Sequence, residues 1–279
     1  MKYYFKLEMK RAFCNRYMVI ALLIGCAISV WHFWEYVWPI RMYVGMGEYP
    51  LSSFNKWMGG ENYSLQPNIY FMLLPLLTAL PYGSTWLFDQ TTGYGNQAIV
   101  RHGQKAYIRV KYLVTFISGA VVAILPLLFD FILTNLVLPA TCPQSGLGSS
   151  ALGSTGCMAE YFYMHPLLSL LYVIIYIVID GFFLGLFTTL SFVAANYLRN
   201  HFIVKIVPFL IYFFLYCIGT TIEGEDGALL FSSMCPAGFL RPTQYFPIEW
   251  SWIIGEAAFM LVVGIIVLHR SEKQEMGLI

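Results

Sequence analysis

Four acidic residues stand within or at the ends of long apolar runs: Glu35, Asp130, Asp180 and Glu256. Charge inside a bilayer is costly, so an acid there is a functional candidate. It can line a cation path, relay protons or hold a cationic substrate. Glu35 and Asp130 fall towards the ends of their runs, where the cost is low; Asp180 and Glu256 lie deeper. For Asp180 a pathway role and a purely structural one, as a protonated or hydrogen-bonded acid between helices, both stay open. For the other three the structural role is the better reading. Two aspartates on neighbouring runs also raise an intramembrane aspartic protease, whose carboxyls must share a proton. The GxGD context of such enzymes is missing here, since Asp130 precedes Phe131 and Asp180 precedes Gly181.

Other reaction centres are not encoded. The sequence has no HExxH, which would set two zinc-binding histidines beside a base, and no GxSxG elbow. His32, His102, His165, His201 and His269 are scattered without ligand spacing. There is no CxxC; Cys142 with Cys157, and Cys217 with Cys235, can be read either as disulfides or as free thiols. Nor is there a GxxxxGK[ST] phosphate cradle, so any ATP used must bind another chain. The expectation is a non-enzyme that needs no metal and no cofactor of its own.

The elements that must position these residues are membrane helices. The chain of 279 residues is 58% hydrophobic, 18% aromatic and only 11% charged, with mean hydropathy +0.65. Soluble domains carry about 25% charged residues. Six runs reach the length a span needs: 17–39, 66–88, 110–138, 166–197, 202–220 and 250–268. The fourth is overlong and should tilt. The expected fold is therefore all-α and polytopic, a single transmembrane domain over residues 1–279. The basic start runs straight into the first apolar run without an A-x-A site, so the N-terminus is expected to be retained.

Lys and Arg set the orientation. Lys2, Lys6, Lys10, Arg11 and Arg16 precede the first run. Arg101, Lys105, Arg109 and Lys111 sit between the second and third or just inside the third. Arg199 and Lys205 separate the fourth and fifth, and Arg270 and Lys273 follow the sixth. Of the 16 basic residues only Arg41, Lys56 and Arg241 fall on the other side. The positive-inside rule then puts both termini in the cytoplasm of a cell-membrane protein. Trp31, Trp34, Trp38, Trp250 and Trp252 mark the outer interface. Gly181 with Gly185, and Gly119 with Ala123, are small-residue pairs that suit a dimer seam but are better explained by packing within one chain.

Three segments stand apart from the spans. In 1–15, Phe5, Met9 and Phe13 continue an apolar stripe from Met1, with Lys2 and Lys6 flanking it, as in a helix lying in the membrane interface. In 221–249 an acidic EGED turn, a short apolar stub and three prolines suggest an outer re-entrant helix. The third, 89–109, is a polar, basic knot. Asp89 ends the second run, Thr91, Thr92 and Gly93 make a turn, and 94–101 can form a short helix. About eight helical residues are marginal alone. Tyr94, Asn96 and Gln97 suit a protein partner better than lipid.

In layout the whole chain resembles the membrane subunit of type-two ABC exporters, such as drug and lantibiotic-immunity permeases. The likeness rests on the interfacial helix 1–15, on Asp89, Gly93 and the short helix 94–101, on the basic start of the third run at Arg109 and Lys111, and on six runs with 221–249 between the last two. That resemblance implies a second permease subunit, identical or not, and two ATPase subunits that bind ATP and magnesium. It implies export of an amphipathic peptide, drug or lipid-like substrate. It implies a coupling helix seated on the ATPase, with Gly93 setting the turn, Asp89 and Lys105 within the coupling segment, Tyr94, Gln97 and Arg101 facing the partner, and Lys111 anchoring the third span at the inner headgroups. A polytopic accessory or scaffold protein without a transport path remains the alternative, and no nucleic-acid partner is expected.

Overall fold

A computed structural model describes residues 2–45, 51–61, 64–143, 162, 164–221, 233–242 and 248–273. Among these residues every regular element is helical. In chain order they are α1 (Lys2–Phe13), α2 (Arg16–His32), α3 (Ser53–Lys56), α4 (Leu65–Ala79), α5 (Thr85–Thr91), α6 (Tyr94–His102), α7 (Gln104–Asn135), α8 (Pro166–Ala195), α9 (His201–Thr221), α10 (Pro236–Phe239) and α11 (Trp250–Lys273). Helix α2 runs on through a π-helical turn, Phe33–Val37, as far as Tyr43.

Five helices are long and apolar enough to cross a membrane: Arg16–Tyr43, Gln104–Asn135, Pro166–Ala195, His201–Thr221 and Trp250–Lys273. The protein is thus a multi-pass, all-α membrane protein. Each of the five lies within a few residues of its expected run. The run at 66–88 does not form one helix. It breaks into α4 and α5 around a turn at 80–84, where Gly83 N–H bonds Ala79 O at 3.0 Å and Thr85 N–H bonds Tyr82 O at 3.0 Å. Pro81, lacking an N–H and followed closely by Gly83, cannot continue the helical ladder. Most of the segment expected to be re-entrant, 221–249, lies outside the described residues; its described part includes the single turn α10.

Packing ranks the helices. The apolar window of α8 is 50% buried and that of α7 44%, against 22% for α9 and α11, so the first two form the centre and the last two the lipid-facing flank. Phe202, Phe214, Ile254 and Phe259 accordingly point outward. Helices α7 and α8 approach through small residues: a Cβ on Gly119 would fall 2.1 Å from Thr188 Oγ1, and one on Gly181 2.4 Å from Ile124 Cδ1. The small-residue face is filled by the chain's own helices. Three apolar clusters result among the described residues, the smallest around Met18, Ala21, Leu77 and Val122, and two of them are large. One, around Trp57, Tyr70, Phe71, Tyr176, Phe187 and Tyr212, fills the middle and one end of the bundle. The other, around Tyr4, Tyr82, Trp86, Tyr107 and Phe192, fills the end that carries most of the basic residues.

Candidate functional site

At the basic end α1 folds back against the bundle. Asn15 makes the corner: its Oδ1 accepts from Tyr17 N–H at 3.2 Å and caps α2, while its Nδ2 donates to Pro81 O at 3.1 Å. The corner joins the α1–α2 junction to the α4–α5 break. It turns Tyr4, Glu8 and Ala12, spaced every four residues on one face of α1, into the protein. Phe5, Met9 and Phe13 are only partly buried and pack on the rim of the same cluster, while Lys2 and Lys6 stay exposed. The helix therefore packs along the protein, with its lysines outward.

Four charged side chains from three helices meet beneath it. Lys111 Nζ on α7 lies 2.9 Å from Glu8 Oε2 on α1 and 2.5 Å from Asp89 Oδ2 on α5. Arg11 Nη2 donates to Asp89 Oδ1 at 2.6 Å, and Arg11 Nη1 is 3.7 Å from Glu8 Oε1. Two carboxylates thus face two cations. Glu8, Asp89 and Lys111 are shut away from solvent, and Arg11 is the partly open member. Phenols satisfy the remaining lone pairs. Tyr4 donates to Glu8 at 3.0 Å, Tyr94 donates at 3.3 Å, Tyr82 donates to Glu8 Oε2, and Tyr107 donates to Asp89 at 3.2 Å. The Arg11 guanidinium also lies over the Tyr94 ring, 4.6 Å from its centroid.

The electrostatics of α1 follow from this enclosure. Burial works to raise the Glu8 carboxyl, but the Lys111 charge and the bonds from Tyr82 and Lys111 outweigh it and hold the group below its ordinary value. Burial alone would lower Arg11; its bond to the Asp89 carboxylate raises it instead. Burial, then the Glu8 charge, raise the Tyr4 phenol, and the same two causes raise Tyr94. Glu8 and Arg11 are thus held in their charged forms. Close ion pairs and donors to both carboxylates offset the desolvation of the buried charges and fix their position, although Arg11 Nη1 has no hydrogen-bond partner among the described residues. Chemically such a cluster is a fastening: it offers no unpaired base or nucleophile.

What it fastens is the polar segment. Gly93 adopts φ +74, ψ 0, a left-handed turn that only glycine takes without strain, and α6 starts there. Gly95 and Ala98 face inward; a Cβ on Gly95 would sit 3.2 Å from the Tyr107 hydroxyl. Tyr4 stacks on His102 at 4.7 Å, closing the far end of α6 against α1. The opposite face presents Gln97, Val100 and Arg101, with Val100 78% exposed. Lys105 is exposed at the start of α7, next to a further tie: Arg109 Nε donates to Glu272 at 2.6 Å and Gln104 Nε2 to Ser271 O at 3.0 Å, joining α7 to the end of α11.

Of the residues singled out from the sequence, Gln97, Arg101 and Lys105 are exposed and Gly93 makes the turn before α6, while Asp89 and Tyr94 point into the charge cluster. Lys111 is also inside it, 1% exposed at the side chain, rather than among headgroups, because two carboxylates hold it. The sequence reading missed Glu8. Its signal was present: a single acid among the cations of 1–16, four residues from Tyr4 and Ala12 on one face, with a lysine inside an apolar run awaiting a counter-charge.

The other acids divide. Asp130 is buried, 3.0 Å from His32 Nδ1, and accepts from Met58 N–H at 2.6 Å, so it ties α2, α7 and the 51–61 loop together. Glu35 accepts from Gln66 at 2.8 Å and from Trp31. Asp180 is buried with no hydrogen-bond partner for either carboxyl oxygen among the described residues, and Glu256 Oε1 is in the same state. Cys217 and Cys235 carry free thiols, as does Cys142, while Cys157 lies outside the described residues. Among the described residues no three His, Cys, Asp or Glu are grouped to hold a metal ion. The chain matches no known family model, no curated protein and no solved structure.

Proposed function

We propose that this chain is the permease subunit of an ATP-driven exporter of the type-two ABC class. The supporting observation is the buried Glu8–Lys111–Asp89–Arg11 cluster, which makes α1, α5–α6 and the start of α7 one mechanical unit while leaving Gln97, Val100 and Arg101 open. A short helix held rigidly from behind, with an exposed valine between polar residues on its front, suits a lever that receives a push from a partner. On this reading the basic end is cytoplasmic, both termini lie there, and the interrupted α4–α5 counts as a sixth span. The partner is an ATPase subunit that binds ATP and magnesium, and a second permease subunit completes the path. Movement of α6 then passes through Lys111 to the third span and through Arg11 and Glu8 to α1 and the first.

The test is purification of the full chain from its native membrane. An ATPase subunit should accompany it, and a Val100→Glu, Arg101→Glu double variant should release that subunit while the permease keeps its elution volume and thermal midpoint. Absence of an ATPase from the wild-type preparation, or its retention by the double variant, would defeat the proposal.

A further inference from the structure

Cations that cross between helices at the basic end do so to reach carboxylates: Lys111 meets Glu8 and Asp89, Arg11 meets Asp89, and Arg109 meets Glu272. Arg16 and Lys205 meet on a phenol instead. Arg16 opens α2, and Lys205 stands in the second turn of α9. Lys205 Nζ lies 4.4 Å from the centroid of the Tyr17 ring and Arg16 Cζ 5.7 Å from it. Among the described residues neither cation has an ion-pair partner. Arg16 and Tyr17 are exposed, and Lys205 is partly so.

An aromatic face attracts a cation but does not neutralise it. Two like charges gathered on one ring repel each other, and an anion shared between them relieves that. The surroundings narrow the anion. Helix α4 packs against both α2 and α9, and both of these are long and apolar enough to span. From Tyr17 the exposed face of α2 continues through Ile20 and Ile24. On α9, Phe209 and Phe213 follow Lys205 in steps of four, their rings stacked and at least partly exposed. The cations thus stand where two apolar helix faces begin. A soluble anion has no use for such faces, but an acyl chain does. The headgroup must also carry net negative charge, because a choline would bring its own cation against Arg16 and Lys205.

We infer that Arg16, Tyr17 and Lys205 form a site for the phosphate of an anionic phospholipid, whose acyl chains lie along Ile20, Ile24, Phe209 and Phe213. The site needs only the bilayer, so it stands or falls independently of the permease reading.

The full chain, stripped of lipid by detergent exchange, is titrated with dioleoyl phosphatidylglycerol and with dioleoyl phosphatidylcholine, and native mass spectrometry counts the lipids bound. The first phosphatidylglycerol should bind at least about fivefold more tightly than the first phosphatidylcholine. Arg16→Gln with Lys205→Gln should bring that ratio close to unity, and Tyr17→Leu should lower it, with elution volumes unchanged. Arg270→Gln with Lys273→Gln removes as much exposed charge from the end of α11 and should leave the ratio as it is. Excess glycerol 3-phosphate should not displace the lipid. Equal affinity of the wild type for the two lipids overturns the site, and so does a preference that survives the Arg16, Lys205 double variant. An equal loss in the α11 variant means diffuse attraction and overturns it too, while displacement by glycerol 3-phosphate overturns the lipid assignment. Should the double variant fail to fold, the wild-type ratio and Lys205→Met, which should reduce it, still decide.

Discussion

Lys111 Nζ lies 2.5 Å from Asp89 Oδ2, and both side chains are sealed from solvent. One residue belongs to the long central helix α7, the other to the seven-residue α5 that leads into the polar segment. A seven-residue helix has little stability of its own. Its position is set by what it is bonded to, so the pair makes the polar segment an extension of α7.

Replacing Lys111 by Met keeps most of the volume but leaves two buried carboxylates facing only Arg11. Breaking a buried ion pair from one side costs about 3–5 kcal/mol. The Lys111→Met chain should therefore show a lower thermal midpoint and faster proteolysis in 85–102. Adding Glu8→Gln should restore part of the loss, because one uncompensated charge is then gone. Strict additivity of the two substitutions in thermal unfolding would contradict a shared network.

Acid should loosen α1. The Glu8 carboxyl is held below its ordinary value, near 4.5, by Lys111 and the bonds from Tyr82 and Lys111 acting against burial. A group depressed in the folded state contributes stability that is complete above its unfolded value and is lost as pH falls through the folded one. Docking of α1 should thus be unaffected from neutrality down to about pH 5 and weaken below the ordinary value. A probe on the exposed Lys2 or Lys6, read by anisotropy, should report that release. Glu8→Gln should be looser at neutral pH and lose the acid transition.

Tyr94 and Arg101 stand in the same short helix but do different work. Tyr94 donates to Glu8 and lies under Arg11, whereas Arg101 is exposed. Tyr94→Ala should destabilise the isolated chain by about 1–3 kcal/mol, the cost of a lost buried hydrogen bond and its packing. Arg101→Ala should stay within about 0.5 kcal/mol of the wild type, as surface changes do. Thermal unfolding of the chain alone separates them, and similar losses for both would mean that α6 is not fixed through Tyr94.

The five uninterrupted spans were legible because apolar length is a property of consecutive residues. The turn at Gly93 was legible for a similar reason, since local backbone chemistry sets it. Two kinds of feature were not. Glu8 meets Lys111 across 103 positions, and no periodicity links an acid on α1 to a lysine on α7. The run at 66–88 holds no charged residue, so hydropathy does not register the break that Pro81 and Gly83 impose. His32 and Asp130 each looked like an interfacial polar group in isolation; 98 positions apart, they become a pair only when α2 crosses α7.

The small residues along α7 and α8 allow a sharper test, because a seam between subunits and a contact within one chain predict opposite results. A Cβ on Gly119 would stand 2.1 Å from Thr188 Oγ1 and 2.6 Å from Thr188 Cβ, so even Gly119→Ala forces the central pair apart. Overpacking of this kind costs about 1–3 kcal/mol. Were Gly119 on a subunit seam, the variant would dissociate while each chain kept its stability. Packed against Thr188 of its own chain, it should instead lower the unfolding midpoint of the single subunit and leave its association state alone. Trimming the obstacle should repair it: Thr188→Gly removes both clashing atoms, so Gly119→Ala with Thr188→Gly should unfold later than Gly119→Ala by itself, despite the roughly 1 kcal/mol that glycine costs within a helix. Size-exclusion chromatography with light scattering reads the association state and thermal unfolding reads the rest. A shift to smaller particles without loss of midpoint would move the contact from inside the chain to between two copies.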